Sequence, residues 1–198
     1  MLELFNIPYL LITYGYAGIF SIVFLESGIF FALPGDSLLF TAGLLASTTY
    51  LKLYILIPII FVGTFLGGIV GYYVGVHIHR LRKYSLFKKI LKEEHIEKAH
   101  EFFMKYGKGA IIFSRFIPIL RTFMPIAAGV AHMEYKSFLK YSLIGPFVWS
   151  TSVTLVGYFL GQVLPKIKDY MTWVVIIVVL LSVLPAVVEM LRKTKNDK

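Results

Sequence analysis

The chain has 198 residues, 58% of them hydrophobic, a mean hydropathy of +0.76 and a formal net charge of +9. That exceeds the roughly 45–50% apolar content of soluble domains and places the chain in a membrane, as one bundle at this length. The absence of cysteine excludes disulfides, thiol nucleophiles and Cys-based metal centres. The basic residues cluster between and after apolar runs, the pattern of an oriented membrane protein rather than of a nucleic-acid binder.

In chain order, residues 9–25 form about one bilayer crossing, for which roughly 17–25 residues are needed. No Lys or Arg precedes this run, so it lacks the basic start of a cleaved signal and is expected to be retained. Residues 26–47 are apolar but interrupted by Pro34, Gly35 and Asp36, and residues 53–76 read as a full span. Residues 77–108 are charged, with Leu86, Phe87, Ile90, Leu91, Ile96 and Phe103 at near-helical spacing. They predict an amphipathic linker at the membrane surface. Residues 109–131 are a second interrupted apolar segment, and 137–161 and 170–191 are two further spans.

The positions of Lys and Arg test this layout. With the linker in the cytoplasm and both interrupted segments returning to the side they entered from, fifteen basic residues lie inside. Lys52, Lys166 and Lys168 lie outside, and Arg115 and Arg121 fall at membrane depth. This is a strong positive-inside bias, and a full crossing by either interrupted segment would misplace a basic cluster. The chain also repeats itself. "GYYVG" at 71–75 recurs as "GYFLG" at 157–161, and the same shift of 86 pairs Ala42 with Ala128 and Gly43 with Gly129. The predicted fold is therefore all-α and integral to the membrane. It is a single domain with an inverted repeat of re-entrant helical hairpin plus transmembrane helix, in halves of about 26–76 and 109–161. Broken helices at an inverted-repeat interface are a transporter architecture.

Four ionisable side chains fall at membrane depth: Glu26, Asp36, Arg115 and Arg121. Each costs about 2.5–3.5 kcal/mol at a helix centre, so acids from the first interrupted segment are expected to face arginines from the second. One reading is a buried ion-pair network that only docks the hairpins. The other is an anion site, since the guanidinium fork can bond two phosphate oxygens at once and a poorly solvated acid can carry protons. Pro34, Pro118 and Pro125 are expected to break the hairpin helices, with Gly35 allowing a tight turn. Gly63, Gly67, Gly71 and Gly75 recur every four residues and predict close helix packing. Trp149 and Trp173 are expected at lipid or the interface. The histidines match no metal-site spacing, and no HExxH, GxSxG or P-loop pattern occurs, so neither a metal, a cofactor nor an enzymatic activity is expected.

Two stretches resemble the DedA proteins, which share the SNARE-associated or VTT domain. "FLESGIFFALPGDSLLFTAGLLA" (24–46) is similar to the family's acid, Pro-Gly-acid turn and small-residue helix. "FSRFIPILRTFMPIAAGVAHMEYKSFLKYSLIGPFVWSTSVTLVGYFLG" (113–161) carries the family's Arg, Pro, Arg-Thr, Pro, Ala-Gly, Met, Phe, Gly, Trp and Gly-Tyr-x-x-Gly in order. The resemblance spans about residues 14–161. It implies lipid transport, either of a polyprenyl phosphate or by phospholipid scrambling, and implies that Glu26, Asp36, Arg115 and Arg121 are essential. The chain departs from many members in having no acid within its Gly-rich second span, "GGIVGYYVG".

The resulting expectation is a translocase of the bacterial inner membrane for undecaprenyl phosphate, with the proton gradient as a candidate driving force. Arg115 and Arg121 would bind phosphate, and Glu26 and Asp36 would serve as charge or proton partners. Phospholipid scrambling, proton-coupled antiport of small ions and a purely structural role are the alternatives. The expected partners are an anionic lipid and the membrane, with homo-oligomerisation left open.

Overall fold

The computed structural model describes residues 15–28, 35–47, 51–78 and 93–163, and every regular element among them is helical. Helix α1 is Gly15–Gly28, α2 Gly35–Ala46, α3 Leu53–Val76, α4 Glu93–Tyr106, α5 Ala110–Phe113, α6 Pro118–Val130 and α7 Tyr135–Val163. Residues 9–14, Pro34, most of the linker before Glu93, and the expected span 170–191 with Trp173 lie outside the described residues. Helices α3 and α7 are long and apolar enough to cross a membrane. At 24 residues α3 extends about 36 Å against a hydrocarbon core of about 30 Å.

The chain divides into two compact units, one of residues 1–19, 32–59 and 152–198, the other of 20–31 and 60–151. In the first unit α2 packs on the C-terminal part of α7 through glycines. A methyl group at Gly43 would strike the carbonyl oxygen of Thr154, and one at Gly157 that of Phe40. In the second unit α3 receives neighbours on its glycine row. Gly63 and Gly67 admit the backbone of α1 at Phe20 and Phe24, while Gly75 meets the carbonyl of Ile126 and Gly129 that of Tyr72. Such backbone approach is what small-residue interfaces provide where lipid supplies no hydrophobic drive.

The second unit's core centres on Phe123, Met124, Ile126 and Ala127 of α6 with Phe138 of α7. Tyr72 stacks on Phe138 at 4.6 Å and donates its hydroxyl hydrogen to the carbonyl of Met133 at 2.5 Å. Helix α6 ends on His132, whose φ of 52° is left-handed. The amides of His132 and Met133 reach back to the carbonyls of Gly129 and Ala128, satisfying its last turn in a Schellman arrangement. Helix α4 ends at Gly107, with φ of 60° in open space, so backbone conformation rather than crowding favours glycine there. Its apolar edge, Ile96, Ala99, Phe102 and Phe103, joins the core beside α6. Of the face expected at the membrane surface, Ile96 and Phe103 are thus packed against protein, and Leu86, Phe87, Ile90 and Leu91 lie outside the described residues.

Candidate functional site

The segment 109–131 is interrupted at one residue. A helical turn at Ser114–Phe116 follows α5, Ile117 is extended (φ −112°, ψ 111°), and α6 begins at Pro118. Proline disfavours a helical conformation in its predecessor and suits the first helical turn, where its missing N–H leaves no intrahelical bond unmade. The break therefore falls between Arg115 and Arg121. Pro125 breaks nothing. Helix α6 runs through it, because a lost intrahelical bond is tolerated where neighbouring protein covers the freed group. A methyl group at Gly71 would lie 3.2 Å from the Cβ of Pro125. Gly35, expected to allow a tight turn, is the first residue of a helix.

Arg115 is the largest fully buried side chain among the described residues. Its stem passes Gly145 of α7, where a methyl group would lie 3.1 Å from Cγ, and its tip reaches Gly68 of α3, where one would lie 2.8 Å from Nη2. Neither terminal nitrogen has a hydrogen-bond partner. Arg121 is also buried, and its Nη2 donates to Oε1 of Glu26 on α1. The Arg121 guanidinium carbon stands 5.0 Å from the ring centroid of Trp149, a cation–π distance. Glu26 and Arg121 lie close enough to Arg115 for their charges to act on it.

Three of the four expected charges, Glu26, Arg115 and Arg121, therefore gather inside the second unit. Two guanidinium groups and one carboxylate are buried there. Asp36 belongs to the first unit. It is half-buried in the first turn of α2, where a helix N-terminus favours an anion. Trp149 is buried against Arg121 rather than anchored at lipid. Ser114 donates to the carbonyl of Ile111 at 3.1 Å, so its hydroxyl is engaged locally. The sequence patterns singled out neither Gly68 nor Gly145, although Gly68 falls outside the four-residue glycine row and that offset was an available signal. Among the described residues no three His, Asp or Glu side chains converge in a metal-holding group.

Residues 33–159 match the VTT domain. The chain is 38% identical over 185 residues to Protein DedA of Escherichia coli (strain K12), covering 89% of this chain and 82% of that one. It is 41% identical over 182 residues to an uncharacterized membrane protein of Mycobacterium tuberculosis, covering 88% and 78%. It is 29% identical over 194 residues to Undecaprenyl phosphate transporter A of Staphylococcus aureus, covering 93% and 95%. No solved structure matches. The helices long enough to cross a bilayer, the VTT match through nearly all of the described helices and the similarity to these relatives agree: the chain is a membrane protein of the DedA family.

Proposed function

We propose that the chain is a lipid translocase that moves undecaprenyl phosphate across the bacterial inner membrane. Arg115 carries the reading. A buried guanidinium with no hydrogen-bonding partner at its tip costs several kcal/mol at membrane depth, and an anion that visits the site offsets that cost. A phosphate suits it, because guanidinium groups bond phosphate oxygens in pairs. Arg121, held by Glu26 and Trp149, supplies the second positive group. The name of the Staphylococcus aureus relative supports the polyprenyl phosphate as cargo.

In this proposal residues 26–47 and 109–131 are re-entrant hairpins, and Asp36 serves as a charge or proton partner. The polyprenyl tail stays in the bilayer while the head group passes the arginines. Protonation of Glu26 or Asp36 couples the movement to the proton gradient. The 77–108 linker and the C-terminus face the cytoplasm.

The test is transbilayer movement of labelled undecaprenyl phosphate in proteoliposomes. Movement by wild type is expected to collapse in Arg115→Lys, Arg121→Lys and Asp36→Asn, with the variants still folded. Folded wild type that moves none of this lipid, with or without a proton gradient, overturns the cargo. Equal movement of zwitterionic phospholipid without a gradient would make the protein a scramblase instead.

A further inference from the structure

Helices α3 and α6 point the same way and meet along two facing rows. The row on α3 runs through Thr64, Gly68 and Gly75, and the row on α6 through Thr122, Pro125 and Gly129, at spacings that keep to one helix face. Backbone touches backbone at the C-terminal end of this seam, where Gly129 meets Gly75 and Val76. From there the helices part. A methyl group at Gly71 would lie 3.2 Å from Cβ of Pro125, and one at Gly68 would lie 3.9 Å from its Cγ and 2.8 Å from Nη2 of Arg115. The guanidinium tip thus enters the seam where close backbone contact ends. Next on the two rows come Thr64 and Thr122, both fully buried, neither hydroxyl with a hydrogen-bond partner among the described residues. Ser114 and Ser150, by contrast, donate to the carbonyls of Ile111 and Phe147 one turn back. A helix interior offers Ser and Thr such a carbonyl, and a buried hydroxyl that leaves it unused is costly.

We infer that Thr64 and Thr122 complete the head-group site begun by Arg115 and make it selective for a phosphomonoester over a phosphodiester. The inference rests on the phosphate reading of Arg115 and adds an oxygen count to it. A phosphomonoester presents three terminal oxygens, a phosphodiester one fewer. The guanidinium fork bonds two at once, so only the monoester has an oxygen left for the hydroxyl donors. Each hydroxyl can also accept, so it serves the third oxygen whether or not that oxygen carries a proton. Selection is therefore by donors and not by net charge. Glu26, bonded to Arg121, is not among the ligands. The phosphate supplies Thr64 and Thr122 with the partner that their own helices do not.

The experiment is native mass spectrometry of the full chain in detergent, titrated separately with farnesyl phosphate and with its methyl ester, a phosphodiester on the same tail. Thr64→Val and Thr122→Val keep the shape and charge of the protein and remove one donor each. Each is expected to weaken retention of the monoester by about tenfold and of the diester by under about twofold, the effect of one hydrogen bond to a charged group. Thr64→Ser and Thr122→Ser keep the donor and should retain the monoester as wild type does. Thr154→Val removes an equally buried and unpartnered hydroxyl in the first unit and should change neither affinity. Thermal unfolding without lipid separates binding from folding. Both valine variants should melt at or above the wild-type temperature, because each deletes a buried hydroxyl that the protein itself leaves unbonded. A lowered melting temperature overturns the proposal, as does an equal loss of both lipids. If Arg115→Lys abolishes monoester binding and the valine variants do not weaken it, this inference fails and the phosphate reading stands. If wild type retains neither lipid, both fail.

Discussion

In the first unit Gly43 of α2 lies on the carbonyl of Thr154 and Gly157 of α7 on that of Phe40; in the second, Gly129 of α6 lies on that of Tyr72 and Gly75 of α3 on that of Ile126. Gly43 and Gly129 are 86 positions apart, as are Phe40 and Ile126, whereas Thr154 and Tyr72 are 82 apart, as are Gly157 and Gly75. The two joints are thus alike, with the long helix displaced by four residues, about one turn. What the units bury is different. The second holds Glu26, Arg115 and Arg121 out of contact with solvent, while the charges described in the first are the half-buried Asp36 and the exposed Lys52. A shared joint without shared charges means that packing alone does not require the arginines.

The comparison breaks most sharply at Glu26. Glu26→Ala removes the buried carboxylate bonded to Arg121 and should destabilise the protein by about 3–5 kcal/mol. Asp36→Asn, at a half-buried helix start, should cost less than that. Thermal unfolding in detergent measures both, and equal losses would refute the assignment of buried charge to one unit.

The joints should respond alike. Gly43→Ala and Gly129→Ala each force a methyl group onto a backbone carbonyl and should cost about 1–3 kcal/mol, with the two values agreeing within about 1 kcal/mol in unfolding scans. A loss in only one variant would show that the resemblance of the joints is superficial.

Gly68→Ala separates packing from the site. Its methyl group meets the flexible tip of Arg115 rather than backbone, so stability should change by under about 1 kcal/mol. Lipid-phosphate movement in proteoliposomes should fall by about tenfold, the equivalent of about 1.4 kcal/mol.

The smallest effect contrasts two tyrosines 86 positions apart. Tyr72→Phe loses a buried hydrogen bond to Met133 and should cost about 1 kcal/mol. Tyr158→Phe loses only an exposed one from Gln162, 2.9 Å long, and should be close to neutral in the same assay.

Much of this was legible from residues alone. The bounds of α3 follow from an uninterrupted apolar run between Lys52 and His77, and lipid tolerates no polar backbone elsewhere along such a run. Arg115, Arg121 and Glu26 stood out because charge at membrane depth is costly without compensation. Partner choice was less legible. Nothing in the spacing of residues assigns Glu26 to Arg121, or seats Trp149 on that guanidinium, because both contacts depend on how helices far apart in the chain come together. Pro125 misled for a related reason: its local preference opposes a helix, and the surrounding packing overrides it. The amphipathic pattern of α4 was correctly read as helical, but periodicity does not say whether protein or lipid covers an apolar face.

The extended residue Ile117 has a consequence for how this segment can vary. In one unbroken helix, residues six apart point about 120° away from each other and lie about 9 Å apart along the axis. Arg115 and Arg121 would then diverge. The break frees the direction of one from that of the other, so that both can be turned into the same protein interior. Their separation is accordingly a property of the corner between them, and an insertion or deletion of one residue there would re-aim a whole arm of the molecule while leaving every side chain chemically unchanged.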